Sequence, residues 1–437
     1  MKISLFQGIL FAVFGFGAII GLFVFTTHTG NTNNSNTIGT VVIWGTLPKA
    51  NMQNFLTEIG QTDQAIKNVS YVQENISTLP NDLSAAIATN NAPDLILASQ
   101  EELTSISKYL MPIPVATLPT STFVNTFIGE GNLFAIPGGS GYYGIPFLVD
   151  PLVLYSNHTI LSSNGIAKPP TTWEALMGLV PNVVSLTPAQ QVTRGLIALG
   201  TYDNIHDARG ILSTFFLQAG VPISSYTSSG SLAADLGTQG TSSGIPPGES
   251  VIGFYTQFAD PSKVSYTWNA SLPDSQQAFL AGDLALYLGY ASEARFFTQA
   301  NPNLDFDVTP IPQPATATTK NVYGLVYAFM IPRGAVNSSG AYQVAGLFSN
   351  SSEQIAAAAA TGLAPATLNQ LEEPPTDPVS AVSYAEALYA NGWLSPAPAS
   401  TDTVFSGMIG NVISGRSSIS IALSSAEQAL NSYLQQQ

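Results

Sequence analysis

Five acids of this chain fall near the ends of predicted elements, where a carboxyl group can act on a bound molecule: Asp150, Asp203, Asp207, Asp283 and Glu293. Two such groups flanking a sugar are what glycoside hydrolysis requires, one to protonate the leaving oxygen and one to attack or to activate water. The same residue types also cap helices and close turns, a frequent use of Asp. Three histidines, His28, His158 and His206, complete the candidates. None stands in an H-E-x-x-H pattern, and there is no Cys, so no metal site is expected. No G-x-x-x-x-G-K loop is present to cradle a phosphate, and no cofactor is implied.

Charge narrows the partners. Acidic residues outnumber basic ones by 27 to 12, and only 9% of the chain is charged. Nucleic acid is therefore not a partner, because neutralising phosphates takes clustered Lys and Arg. The surface must be built from Ser, Thr, Asn and Gln, a composition little affected by external pH or salt. Without Cys there is no disulfide framework, and stability must come chiefly from burial.

The chain opens on an uncharged apolar run over residues 5–25, long enough to span a bilayer as a helix. Lys2 precedes it and the next basic residue is Lys49, which places the N-terminus in the cytoplasm and the body outside the cell. A cleaved signal peptide would have a shorter apolar core and a small-residue cleavage site, and neither is evident here. Residues 26–38 form a polar tether that includes GNTNNSN. The expectation is a single-pass anchor at the cell membrane.

After the tether, strands and helices alternate. TVVIW at 40–44, residues 69–72 and residues 95–98 read as strands, with helices over 51–59, around 81–87 and over 101–110. Such β-α-β-α-β-α order implies a mostly parallel sheet covered by helices. Thr171 or Thr172 caps a helix beginning at Trp173, and Asn204 is placed to cap another. In the latter, Ala208, Ile211, Leu212, Phe215, Phe216 and Ala219 recur with helical period. Strands follow at 284–288 and 322–331, and helices near 405–413 and 422–434. The length of the body suits two domains.

Several separated blocks resemble one family, the extracellular solute-binding proteins of ABC importers of the maltose- and oligosaccharide-binding type. They are Trp44-Gly45-Thr46 after the first strand, Pro93-Asp94-Leu95-Ile96, and Tyr143-Gly144-Ile145-Pro146 with Leu154-Tyr155-Ser156-Asn157. In order, PPTTW at 169–173, FLAGDLAL at 279–286, Pro310-Ile311-Pro312 and GLAPA at 362–366 follow. Two departures stand out. The lipid-anchoring Cys is missing, a role the apolar segment 5–25 can take, and Asp283 and Leu286 replace the usual Lys and Met. The resemblance implies an α/β, two-lobed periplasmic-binding-protein-like (type II) fold with three interlobe crossovers, near Asp150, Val326 and Gly362. Lobe 1 would comprise 39–150 and 326–362, and lobe 2 would comprise 151–325 and 363–437.

It also implies a binding subunit that captures a small solute, a sugar, between hinged lobes and delivers it to permease subunits. Sugar sites pair flat apolar faces with short polar groups. On that basis the expected ligand-binding residues are Trp44, Gly45, Thr46 and Gln100 from lobe 1, and Tyr155, Tyr202, Asn204, Tyr290, Ser292 and Glu293 from lobe 2, with Gly289 beside them. Pro146, Asp150, Tyr323 and Gly324 lie at the crossings. Core packing is the competing role for each aromatic; Trp173 reads as a packing residue, and Trp393 is uncommitted, its Asn391-Gly392-Trp393 setting compatible with exposure. Two other functions remain open, a surface glycoside-processing enzyme using the cleft carboxylates and an adhesive surface protein.

Overall fold

The computed structural model describes residues 38–239 and 244–436. The apolar segment 5–25 and nearly all of the tether lie outside the described residues. No described helix is long and apolar enough to cross a membrane.

The first strands are β1 (Val41–Gly45), β2 (Val69–Gln73) and β3 (Leu95–Ser99), and β1 pairs in parallel with both others. Helices Lys49–Thr62 and Leu79–Ala88 make the connections. This is the alternation read from the sequence, with boundaries shifted by one to three residues at most ends. Next come β4 (Gly144–Asn157), β5 (Ser185–Leu186), β6 (Val192–Ile197), β7 (Leu284–Tyr290), β8 (Phe306–Thr309) and β9 (Val322–Met330). They continue the same hydrogen-bonded path in the order β2-β1-β3-β9-β4-β7-β6-β5, with β8 added on β4.

Strand β4 is the spine. All fourteen of its residues are buried, as a strand covered on both faces must be, and it reads as a nearly unbroken apolar run for that reason. Antiparallel β9 accompanies it from Gly324 opposite Pro151 to Met330 opposite Gly144. The register shifts at Tyr327–Ala328, beside Pro146, which has no N–H to give to the ladder.

Two hydrophobic cores lie on either side of the middle of β4. The first contains Ile43, Phe55, Leu97, Phe147, Val149, Val326, Phe329 and Phe348. The second contains Leu152, Tyr155, Trp173, Phe216, Tyr287, Tyr323, Trp393 and Phe405. The chain passes between cores at Asp150–Pro151 and again at Leu325–Val326. The third passage differs from the expectation at Gly362. Leu363, Ala364, Ala366 and Leu371 remain in the first core. Helix Pro378–Ala387 straddles the boundary, with Tyr384 and Ala387 in the first core and Val379 and Val382 against the second. Trp393 reaches the second core, Leu394 returns to the first, and the passage is complete only by Val404. Gly362 is the left-handed cap of helix Ser351–Thr361, a turn that carries no information about which lobe comes next.

One further local reading changes, and one left open is decided. Asn204 does not cap helix Ala208–Gln218; Asp207 occupies that position in left-handed geometry (φ 55°), and the Asn204 amide instead donates to the carbonyls of Asn269 and Leu272. Trp393 is 2% exposed, its indole N–H donating to Ser213 Oγ at 2.9 Å, because the third passage threads between the cores.

The first core is dense in aromatics, with Phe147 4.6 Å from Phe329 and 5.9 Å from Phe55 between ring centroids. Truncating Phe147 to Ala is expected to cost about 3–5 kcal/mol through lost burial and the cavity left behind. Denaturant unfolding of Phe147→Ala measures it; a loss below about 1 kcal/mol would contradict this account of the core.

Candidate functional site: the interlobe cleft

The cleft begins at the C-terminal end of β3. Ser99 caps helix Gln100–Ile106 in a reciprocal capping box: its hydroxyl accepts from the Glu101 N–H, and Glu102 Oε2 accepts the Ser99 N–H at 2.7 Å. This cap fixes the first turn, so Gln100 and Glu101 face the other lobe. Gln100 brackets β9. Its amide donates to the Gly324 carbonyl at 2.9 Å and accepts from the Val326 N–H at 2.8 Å.

Glu101 meets Arg209 from helix Ala208–Gln218 of the second lobe. The guanidinium grips the carboxylate with two bonds, Nε to Oε1 at 2.9 Å and Nη2 to Oε2 at 2.7 Å. Its remaining arm reaches Asp402 Oδ2 at 2.6 Å. Asp402 Oδ1 accepts from the Tyr202 hydroxyl at 2.7 Å, and the Tyr323 hydroxyl donates to Glu101. The Glu101 side chain is 2% exposed and that of Arg209 is 19% exposed. Burial disfavours the Arg209 charge, but Glu101 and Asp402 outweigh it and hold its pKa well above the usual value.

Above this clasp lies a cavity of about 560 Å³. Thr46, Ser99 and Tyr327 line it from the first lobe, and Tyr202, Asp207 and Tyr290 from the second. Asp203, His206, Asp274 and Asp402 add acidic and imidazole groups at its margin. Gly210 lies behind the Tyr290 phenol; a Cβ there would come within 2.7 Å of its oxygen.

Three of the expected ligand-binding residues therefore line the cavity, Thr46, Tyr202 and Tyr290, as do the candidate groups Asp203, His206 and Asp207. The other expected ligand-binding residues have structural partners. Trp44 is half-buried against the first core, and Gly45 is pressed beneath the Tyr71 hydroxyl and the Leu97 carbonyl. Pro146 packs on Gly131. Tyr155 is fully buried and donates to the Tyr290 carbonyl at 2.6 Å, supporting the cleft tyrosine from behind. Asp150 accepts from the Ser292 N–H and hydroxyl at 3.1 and 2.6 Å, tying the first passage to the second lobe. Tyr323 and Gly324 are buried in β9 beneath the clasp.

Glu293 is a brace. Its oxygens accept the Tyr290 N–H, the Tyr287 hydroxyl and the Gln276 amide, each at 2.7 Å. Gly289 packs against it and the Tyr287 ring. Burial and then the nearby Asp207 carboxylate raise the Glu293 pKa well above the usual range. Asp207 is pushed up to about 6, first by burial and further by Asp150. His206, Asp207 and Glu293 present ligand atoms within 4.8 Å of one another. The donors already on Glu293 make this a hydrogen-bonded brace rather than an open metal site. The G-x-G-x-x-G spacing at 139–144 leads into strand β4 and not into a helix, so it forms no phosphate cradle.

Sequence reasoning missed Glu101, Arg209 and Asp402. Signals existed for two of them: Ser99-x-x-Glu102 has the capping-box pattern that orients Glu101, and Arg209 is one of only 12 basic residues and the one charged residue of its helix.

The model of the bacterial extracellular solute-binding protein family matches residues 56–382. The chain belongs to this family. Among curated proteins, none matches it. Solved structures share its fold. The cyclic α-maltosyl-1,6-maltose binding protein of Arthrobacter globiformis aligns with TM-score 0.72 at 16% identity, covering 91% of this chain and 99% of that one. The sugar-binding protein MalE of Xanthomonas citri gives 0.70 at 17%, covering 91% and 98%. The maltotriose binding protein of Thermus thermophilus gives 0.63 at 17%, covering 90% and 99%. In this solute-binding protein the chain passages and the cleft lie where the two cores meet.

Removing one partner of a buried ion pair strands the other's charge, at a cost of about 3–5 kcal/mol. Arg209→Met is expected to lose stability of that order, because it leaves the Glu101 carboxylate without its cation. Urea unfolding checks this; a loss below about 1 kcal/mol would sink the assignment.

Proposed function

We propose that this chain is the membrane-anchored, extracellular binding subunit of an ABC importer, holding an uncharged carbohydrate in the interlobe cleft and delivering it to permease subunits. Hinge motion at the three passages closes the lobes on the solute. The observation that carries this reading is the cavity between the two cores, with Tyr202, Tyr290 and Tyr327 offering ring faces and Thr46 and Ser99 offering hydroxyls. About 560 Å³ is within the usual range for small-molecule sites, roughly 300–1,000 Å³. Five carboxylates line the cleft (Glu101, Asp203, Asp207, Asp274 and Asp402) and disfavour anionic solutes. The structural relatives named for maltose-type ligands support a sugar. Catalysis has weaker support, since Asp150 and Glu293 are held by structural donors and Asp283 lies outside the cavity lining.

Maltotriose and related neutral oligosaccharides are expected to raise the melting temperature, whereas sugar phosphates are not. At a ligand concentration 100 times Kd the gain is about 2.7 kcal/mol. Tyr290→Ala should weaken binding at least tenfold, and chromatography should recover the sugar intact. Absence of any shift across a neutral-sugar panel, or appearance of cleaved product, would overturn the proposal. For the anchor, mass spectrometry of the mature N-terminus from membrane fractions is expected to find residues 5–25 retained.

A further inference from the structure

The three chain passages share a feature that solute binding does not use. Each has a buried carboxyl group with no basic partner. Glu130, on the short helix Gly129–Phe134, is 3% exposed, and neither of its oxygens has a hydrogen-bond partner. It is wedged between two passages: a Cβ on Gly324 would lie 3.1 Å from one oxygen, and a Cβ on Gly392 would lie 2.5 Å from the other. Asp150 stands at the first passage with donors from Ser292 and the Ala291 backbone, and no cation. Glu386, 2% exposed on the straddling helix, accepts the Ile311 N–H of the second core at 3.1 Å. The four ion pairs among the described residues involve none of these three groups.

We propose that the lobe junction is a proton-held hinge: Glu130, Asp150 and Glu386 pack the three passages as neutral carboxylic acids, and the protein is built to work in an acidic medium. A neutral acid fits a water-poor junction, whereas a carboxylate there lacks both solvent and counter-charge. Ionisation thus favours water entry between the passages and separation of the lobes.

The surroundings of each group agree. Glu130 faces Tyr323 of β9, and the adjoining helix carries Glu101, committed to Arg209, and Glu102, itself an acid. Asp150 faces Glu293 across the Ser292 donors, and Tyr155 and Tyr327 along the sheet. Glu386 has a distant cation in Lys320, which only partly offsets its burial. Burial pushes Glu130 up to about 8, Asp150 up to about 7 against its Ser292 bonds, and Glu386 up to about 7. A carboxyl group whose pKa is higher folded than unfolded contributes fully below the unfolded value. That contribution falls as pH rises toward the folded value. Stability is therefore greatest at about pH 4 and declines toward pH 8. Composition points the same way: the sequence pI is about 4.3, so self-repulsion from the net charge of −15 at pH 7 vanishes in acid.

The test is urea unfolding of the full chain from pH 3.5 to 8, with small-angle X-ray scattering of the folded protein at pH 4 and pH 8. Within the window each such carboxyl lowers the folded-to-unfolded ratio about tenfold per pH unit. The wild type is expected to be most stable near pH 4 and to have a larger radius of gyration at pH 8. Glu130→Gln should flatten the stability slope by about tenfold per unit and abolish the expansion; Glu386→Gln gives the same comparison should the first variant fold poorly. Stability rising from pH 4 to 7 in the wild type, unchanged slopes in the folded variants, or a constant radius would overturn the proposal. Sugar binding is a separate readout, so either reading can fail alone.

Discussion

Strands β4 and β9 belong to both lobes at once, and the rest of the molecule is arranged around that constraint. A strand that feeds two cores must bury side chains on both faces and also bend where the cores part. Pro146 and Pro151 interrupt the ladder on β4, and the register shift at Tyr327–Ala328 absorbs the irregularity on β9. Gln100 then acts as a side-chain extension of the sheet, bonding Gly324 and Val326 on either side of the passage. Precision at this junction is what gives the cleft a fixed floor.

Charge is used sparingly, and where it is buried it joins the lobes. Arg209 binds Glu101 of the first lobe and Asp402 of its own, with Tyr202 and Tyr323 closing the network. Such a pair adds little net stability over apolar packing, but it is directional and specifies one approach of the lobes. The tyrosines therefore have two duties. Tyr202 and Tyr290 face the cavity, whereas Tyr155 and Tyr323 hold from behind the groups that form it.

The resemblance to solute-binding proteins was legible because its motifs are local turns and strand ends, such as Pro93-Asp94 or Thr171-Thr172-Trp173, whose geometry depends on near neighbours. Site residues were less legible for the same reason. Trp44 and Gly45 carry the family pattern, yet packing against the first core and Tyr71 uses them. Asp150 and Glu293 look like reactive acids, yet each is tied by donors within the protein. Conversely, Glu101 and Arg209 lie 108 positions apart, and nothing local in either segment announces the other.

What the sequence determined by itself was the alternation of strand and helix, the absence of disulfides, and the family to which the blocks belong. These follow from periodicity, composition and short-range capping, which act within a few residues. Tertiary structure alone decided where the third passage falls and which polar groups face the cleft rather than one another. It also decided which carboxyl groups are left without a cation. Those outcomes depend on long-range burial, since a carboxyl group becomes a brace, a clasp or a neutral acid only when a distant segment covers it and supplies, or withholds, a partner.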